Sequence, residues 1–253
     1  MSGALAGQRA LVVGGSAGIG LEVARQMLAA GAEVVIAGRN AERGARALAA
    51  LGDDRATFQR ADAGKPDECA ELVTGAVARM GGIDTLVCCG AGDPMPRLLR
   101  DIPLDTLMPQ INDALAPVIT PAHAVLPVMS AQGSGSVICL ASDAGKLATP
   151  GEVAIGTAMA GIIMFCRAMA NEAKRNGIRV NCLTPSIVEG TPLHDRLMED
   201  PFAGKLFGKA KAMAQLGVVT PADLAAMAVF LAGPQAARVT GQTISVTGGI
   251  SAI

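Results

Sequence analysis

Arg9–Val13 is a short apolar run that leads straight into Gly14-Gly15-Ser16-Ala17-Gly18-Ile19-Gly20, after which Ile19–Ala30 carries apolar residues at helical spacing (Ile19, Val23, Met27). No other stretch limits the fold so tightly. Glycines allow a tight turn and let the main chain come close to a bound group. A helix starting at Gly18 aims unpaired N–H groups and the positive end of its dipole at that turn, which suits a phosphate. The next apolar strand, Glu33–Ala37, is closed by Gly38 and completes a βαβ unit. In that context the glycine turn reads as the phosphate loop of a nucleotide site.

The alternation continues. Ala41–Leu51 is an Ala-rich helix, Arg55–Arg60 a strand, Pro66–Met80 a helix with Pro at its start, and Asp84–Cys88 a fourth strand. Leu104–Met129 has helical spacing but contains Pro109, Pro117 and Pro121. An interior proline costs a helix about 3 kcal/mol, so a bend or break is expected. Ser136–Ala141, Ile178–Leu183 and Gln242–Val246 read as strands, and Glu152–Asn176 and Pro221–Ala232 as helices, the latter capped by Thr220. Thr191–Leu216, with internal Pro and Gly, is expected to be a mobile helical flap over 191–216. Near-continuous apolar strands between helices indicate a parallel sheet covered on both faces. With no repeat, low-complexity tract or linker, residues 1–253 read as a single α/β domain: a doubly wound sheet of about seven strands.

Composition removes several classes of function. Basic and acidic side chains number 21 and 22, so no cation excess exists to neutralise nucleic acid. A chain that is 51% hydrophobic and 17% charged is not disordered. Met1–Gly7 lacks the charged and apolar regions of a secretory leader, so the 6 cysteines read as reduced, mostly buried thiols of a cytoplasmic protein. Cys88–Cys89 has no second pair or nearby His at ligand spacing, and no metal site is expected. Val153–Cys166, the longest apolar stretch, reads as too short for a bilayer and as a buried helix; no membrane partner is expected. The chain has 0 Tyr and 0 Trp, which rules out any chemistry that needs a phenol.

The spacing Gly14-x3-Gly18-x-Gly20 resembles that of the short-chain dehydrogenase/reductase family, built on a Rossmann-type sheet. The likeness continues through Asp62, the strand Asp84–Val87, Ser142-Asp143-Ala144-Gly145, Gly177-Ile178-Arg179-Val180-Asn181, Pro185 and the closing Gly241–Gly249 segment. It covers essentially the whole chain. The resemblance implies an oxidoreductase with a nicotinamide cofactor on Gly14, Ser16, Gly18, Ile19, Gly20, Asp62, Pro185, Val188 and Thr191, with Asp62 reaching the adenine amine. It also implies a homotetramer or homodimer, the apolar helix Val153–Cys166 packing partly on a neighbouring subunit. At the end of the second strand, Gly38-Arg39-Asn40 supplies a guanidinium where an acid would hold NAD. Arg39 therefore favours NADP(H) over NAD(H), unless it is simply a solvated cation.

Members of that family reduce carbonyls with an Asn, Ser, Tyr, Lys tetrad. Here Ser142 matches the Ser, while the Tyr, Lys and Asn positions hold Ile155, Met159 and Ala114; Asn112 lies nearby. Asn-Asn-Ala-Gly after the fourth strand becomes Cys88-Cys89-Gly90-Ala91, Pro-Gly becomes Pro185-Ser186, and a Thr that would grip the nicotinamide amide comes one residue late, at Thr191. Ser142 is either a surviving catalytic hydroxyl or a turn residue; Asp143 is either an acid or base or a solvated carboxylate. By the same resemblance, Lys146 and Glu152 lie in the loop the family uses over its substrate. His123 reads as structural, and His194, in the expected flap, as either a surface residue or one that approaches a ligand. Three readings stand: a nucleotide-binding pseudoenzyme or partner subunit; a repurposed isomerase, dehydratase, retro-aldolase or cyclase with a small-molecule ligand in an apolar pocket; or an oxidoreductase whose substrate or water supplies the proton.

Overall fold

The computed structural model describes residues 3–90, 92 and 94–252; Met1, Ser2 and Ala91 of the segments read above lie outside them. The first half runs β1 (Arg9–Val13), α1 (Gly18–Ala29), β2 (Glu33–Gly38), α2 (Ala41–Leu51), β3 (Ala56–Arg60), α3 (Pro66–Met80) and β4 (Thr85–Cys88). The second runs α4 (Leu104–Gln132), β5 (Gly135–Leu140), α5 (Val153–Ala173), β6 (Ile178–Thr184), α6 (Pro192–Glu199), α7 (Pro201–Met213), α8 (Pro221–Ala232) and β7 (Thr243–Ser245). The strands form one parallel sheet of 7, ordered β3-β2-β1-β4-β5-β6-β7.

The central strands are apolar on both faces because each face is covered. Leu11, Leu86, Val137 and Val180 point into a core shared with α3, α4 and α5. Val12, Val87, Ile138 and Leu183 point into a second core with α1 and α8. Such burial stabilises by about 25 cal/mol per Å² of apolar surface removed from water, which explains the Val- and Ile-rich strands. At the foot of the sheet the Arg9 guanidinium holds Asp84 at the start of β4.

Two expectations are corrected. Helix α4 does not break: it runs unbroken through Pro109, Pro117, Pro121 and Pro127. Packing of Val118, Pro121, Ala122, Val125 and Met129 into the first core outweighs the propensity cost. Val153–Cys166 is part of a longer helix, so α4 and α5 are both long and apolar enough to cross a membrane by length and composition; in this fold they cover the sheet. The 191–216 segment forms two helices, with Asp200 ending α6 and capping α7 through the amides of Phe202 (2.9 Å) and Ala203 (2.8 Å). They enclose a small apolar cluster of their own: Ile187, Leu197, Ala203 and Phe207.

Candidate functional site

The site lies at the carboxyl ends of the central strands. Gly14 leaves β1 with φ +76°, and a Cβ there would stand 2.9 Å from the Cys89 carbonyl carbon. A Cβ on Gly20 would overlap the Gly14 carbonyl. Both positions exclude every other residue, and the Gly14 and Gly15 amides donate to the Ala37 carbonyl of β2 (2.9 and 3.2 Å), tying the turn to the second strand. Helix α1 begins after Ala17 with no side-chain cap, leaving its first amides to an anion. Ile19 packs at the edge of the second core, and Ser16 leans toward Gly38.

Around this turn stand the other nucleotide candidates. Arg39 is exposed at the end of β2. Asn40 is occupied as the cap of α2, its Oδ1 accepting from the Arg43 amide (2.8 Å). Asp62 Oδ1 accepts from the Gly64 amide (3.2 Å) in a tight turn after β3. Val188 is buried and bridges to Val219, and the Pro185 carbonyl accepts from the Asp143 amide. Thr191 caps α6, its hydroxyl accepting from His194 and donating to the Val188 carbonyl. Its methyl group faces Gly18, so the start of α6 lies against the glycine turn.

Ala114, Ile155 and Met159 meet. With Ala154, Pro94, Met95 and Ile102 they line a cavity of about 20 Å³, room for about one water, rimmed by Arg97 and Gln110. Ser142 does not line it; its Oγ accepts from the Ala144 amide (3.2 Å) and caps a short 3-10 turn. That turn is pressed onto α5: a Cβ on Gly145 would lie 2.7 Å from the Met159 carbonyl carbon.

Asp143 is not solvated. It is 4% exposed and accepts from Ser245 (3.1 Å) and Ser251, with Lys146 Nζ at 3.7 Å. His194 is not a surface residue either: it is largely buried, with Nδ1 at 3.2 Å from Asp195 and Nε2 buried with no hydrogen-bond partner among the described residues. His123 and Asn112 are exposed on α4. Burial raises the pKa of Glu152, against the pull of its bond to Thr149.

All 6 cysteines are free. Cys88, Cys139 and Cys182 share one row across β4, β5 and β6, with Cys166 of α5 beside them, an arrangement that spacing along the chain does not reveal. Among the described residues, no cluster of His, Cys, Asp or Glu is arranged to hold a metal.

The family model described as Enoyl-(Acyl carrier protein) reductase matches residues 13–251. The 3-oxoacyl-(acyl-carrier-protein) reductase FabG of Chlamydia trachomatis is 32% identical over 99% of this chain and 100% of its own length. The chain belongs to the short-chain dehydrogenase/reductase family. Another member, the 7alpha-hydroxysteroid dehydrogenase of Bacteroides fragilis, is 31% identical over 95% of this chain and 93% of its own. A solved short-chain dehydrogenase/reductase superposes with TM-score 0.82 at 32% identity, covering 98% of both chains. The structure of gox2181 gives 0.89 at 25% identity, over 97% and 96%. Members of this oxidoreductase family thus align with the chain over nearly its whole length.

Proposed function

We propose that this short-chain dehydrogenase/reductase binds a nicotinamide dinucleotide but does not perform Tyr/Lys-assisted carbonyl reduction, and acts as a pseudoenzyme or as the partner subunit of an active homologue. The observation that carries this reading is the meeting of Ala114, Ile155 and Met159 on one apolar cavity the size of a water molecule, in a chain with 0 Tyr. A positioned general acid contributes about 10²–10⁴ in rate. Ile and Met cannot donate to a developing alkoxide, which would face hydrocarbon.

The residues present fit the adenosine and pyrophosphate end of the dinucleotide. The uncapped start of α1 and the glycine turn, where no Cβ intrudes, would hold the pyrophosphate. Arg39 would pair with a 2′-phosphate, so NADP(H) is preferred, and Asp62 would accept from the adenine amine. Bound, the group supplies a hydride donor. At its nicotinamide end, Ile155 and Met159 offer the ribose no polar partner. Val153 and Met164, 46% and 60% exposed on the outer side of α5, are the surface for a homodimer or homotetramer. Free thiols throughout accord with a cytoplasmic location.

Titration calorimetry with NADPH and NADH, run beside a turnover assay on simple ketones, tests the proposal. NADPH is expected to bind more tightly than NADH, without turnover. Steady-state reduction at a rate usual for the family would overturn it. In that case the second reading holds, an oxidoreductase whose substrate or water supplies the proton, favoured by the reductases among its relatives.

A further inference from the structure

Residues 247–252 touch two parts of the site. Thr247, 4% exposed, folds them into a tight turn: its hydroxyl donates to the Ser251 carbonyl (3.2 Å). On one side the Ser251 hydroxyl donates to Asp143, next to Ser142. On the other, the Gly248 carbonyl accepts from the Leu216 amide (3.0 Å), just beyond the end of α7. Ile250 packs against the cluster of Ile187, Leu197, Ala203 and Phe207 inside the α6–α7 arm. The root of that arm, Thr191, faces Gly18 of the glycine turn.

A chain of contacts therefore runs from Asp143 through Ser251 and Ile250 to α6–α7, and on to the mouth of the nucleotide cleft. Asp143 is a firm anchor, because it is buried, its amide bonds Pro185 (2.9 Å), and Ser245 and Lys146 stand beside it. The arm is the weaker partner, having a small core of its own and lying outside the sheet.

We propose that residues 247–252 are a latch: the Ser251–Asp143 hydrogen bond holds the α6–α7 arm over the glycine turn, and Ser251 is a positioning residue for the cleft. What the cleft admits rests on the nucleotide reading; the latch itself does not. A hydrogen bond to a buried carboxylate is among the stronger ones, so its loss shifts a local opening equilibrium by about ten-fold or more.

Hydrogen exchange read by mass spectrometry, without nucleotide, tests this on the full chain. Ser251→Ala is expected to speed exchange about ten-fold in 192–213 and leave β1, β4 and β5 unchanged, while Ser251→Thr, which keeps the hydroxyl, restores the slow rate. Ile250→Ala cuts the same link on the arm side, is expected to give the same local pattern, and serves if Ser251→Ala does not fold. Unchanged exchange in 192–213, or faster exchange spread evenly over the sheet, would overturn the latch. NADPH titration of the same variants is a separate readout: an absence of binding in every form would sink the nucleotide reading and leave the exchange result standing.

Discussion

The carbonyl of Gly14 lies so close to Gly20 that a single added methyl group on Gly20 would overlap it. The two glycines lock the end of β1 onto the first turn of α1. That contact gives the anion-accepting amides a fixed direction.

Gly20→Ala is accordingly expected to cost about 1–3 kcal/mol of stability by overpacking. It should weaken NADPH binding at least about ten-fold, as the turn and the helix start shift apart. Calorimetric titration and thermal unfolding check both. Gly208→Ala is the matched control: its Cβ would stand in open space on α7, so it is expected to raise stability by about 0.5–1 kcal/mol.

Restoring a phenol and an amine probes what the cavity retains. The double variant Ile155→Tyr, Met159→Lys is expected to raise NADPH-dependent ketone reduction at least about 10²-fold above the parent chain. Initial rates with both proteins decide it. An unchanged rate would mean that Cys88, Ala114 and Ser186 must change as well.

Acid unfolding should report the Arg9–Asp84 pair. Burial alone would raise the Asp84 pKa, but the hydrogen bonds from Arg9 Nε (2.8 Å), Nη2 (2.6 Å) and its amide (2.9 Å), with its charge, hold it below the usual carboxylate range. A lowered folded pKa gives stability that is present at neutral pH and is lost as pH falls below about 4. Asp84→Asn is expected to cost about 1–3 kcal/mol at pH 7 and to flatten the decline below pH 4, as read by urea unfolding across that range.

The thiols should be silent in the native state. Burial pushes Cys69 up to about 11 and Cys89 to about 12. Hydrogen bonds among the neighbouring thiols, and then burial, raise Cys166 and Cys182, and Cys88 and Cys139 are raised too, against the hydrogen bonds that pull them down. Thiolate is the reacting form, so at pH 8 a disulfide reagent is expected to label the folded protein only at its opening rate. All 6 cysteines should react at once in guanidinium. Rapid labelling of Cys89 in the native protein would contradict this.

What was legible in the sequence was what short spacing encodes. The strands, the glycine turn and most helix ends lie within a few residues of expectation, because the periodicity of Val, Ile, Gly and Pro is local. The four-proline helix was misjudged because the burial of Val118, Val125 and Met129 belongs to the whole sheet. The surroundings of Asp143 were invisible for the same reason, since its partners Ser245 and Ser251 come from the far end of the chain. That Ala114, Ile155 and Met159 would come together could be inferred only through the family pattern; how little space they leave could not.

The prolines of α4 carry one more consequence. Pro109, Pro117, Pro121 and Pro127 have no amide hydrogen, so the carbonyls of Asp105, Asp113, Pro117 and His123 have no donor one turn on. A peptide spanning 104–132 would not coil by itself in water. The segment winds only on a finished sheet, and it brings Gln110 and Ala114 to the cavity when it does. The wall of the cavity therefore owes its helical shape to the sheet it packs on and not to its own propensity.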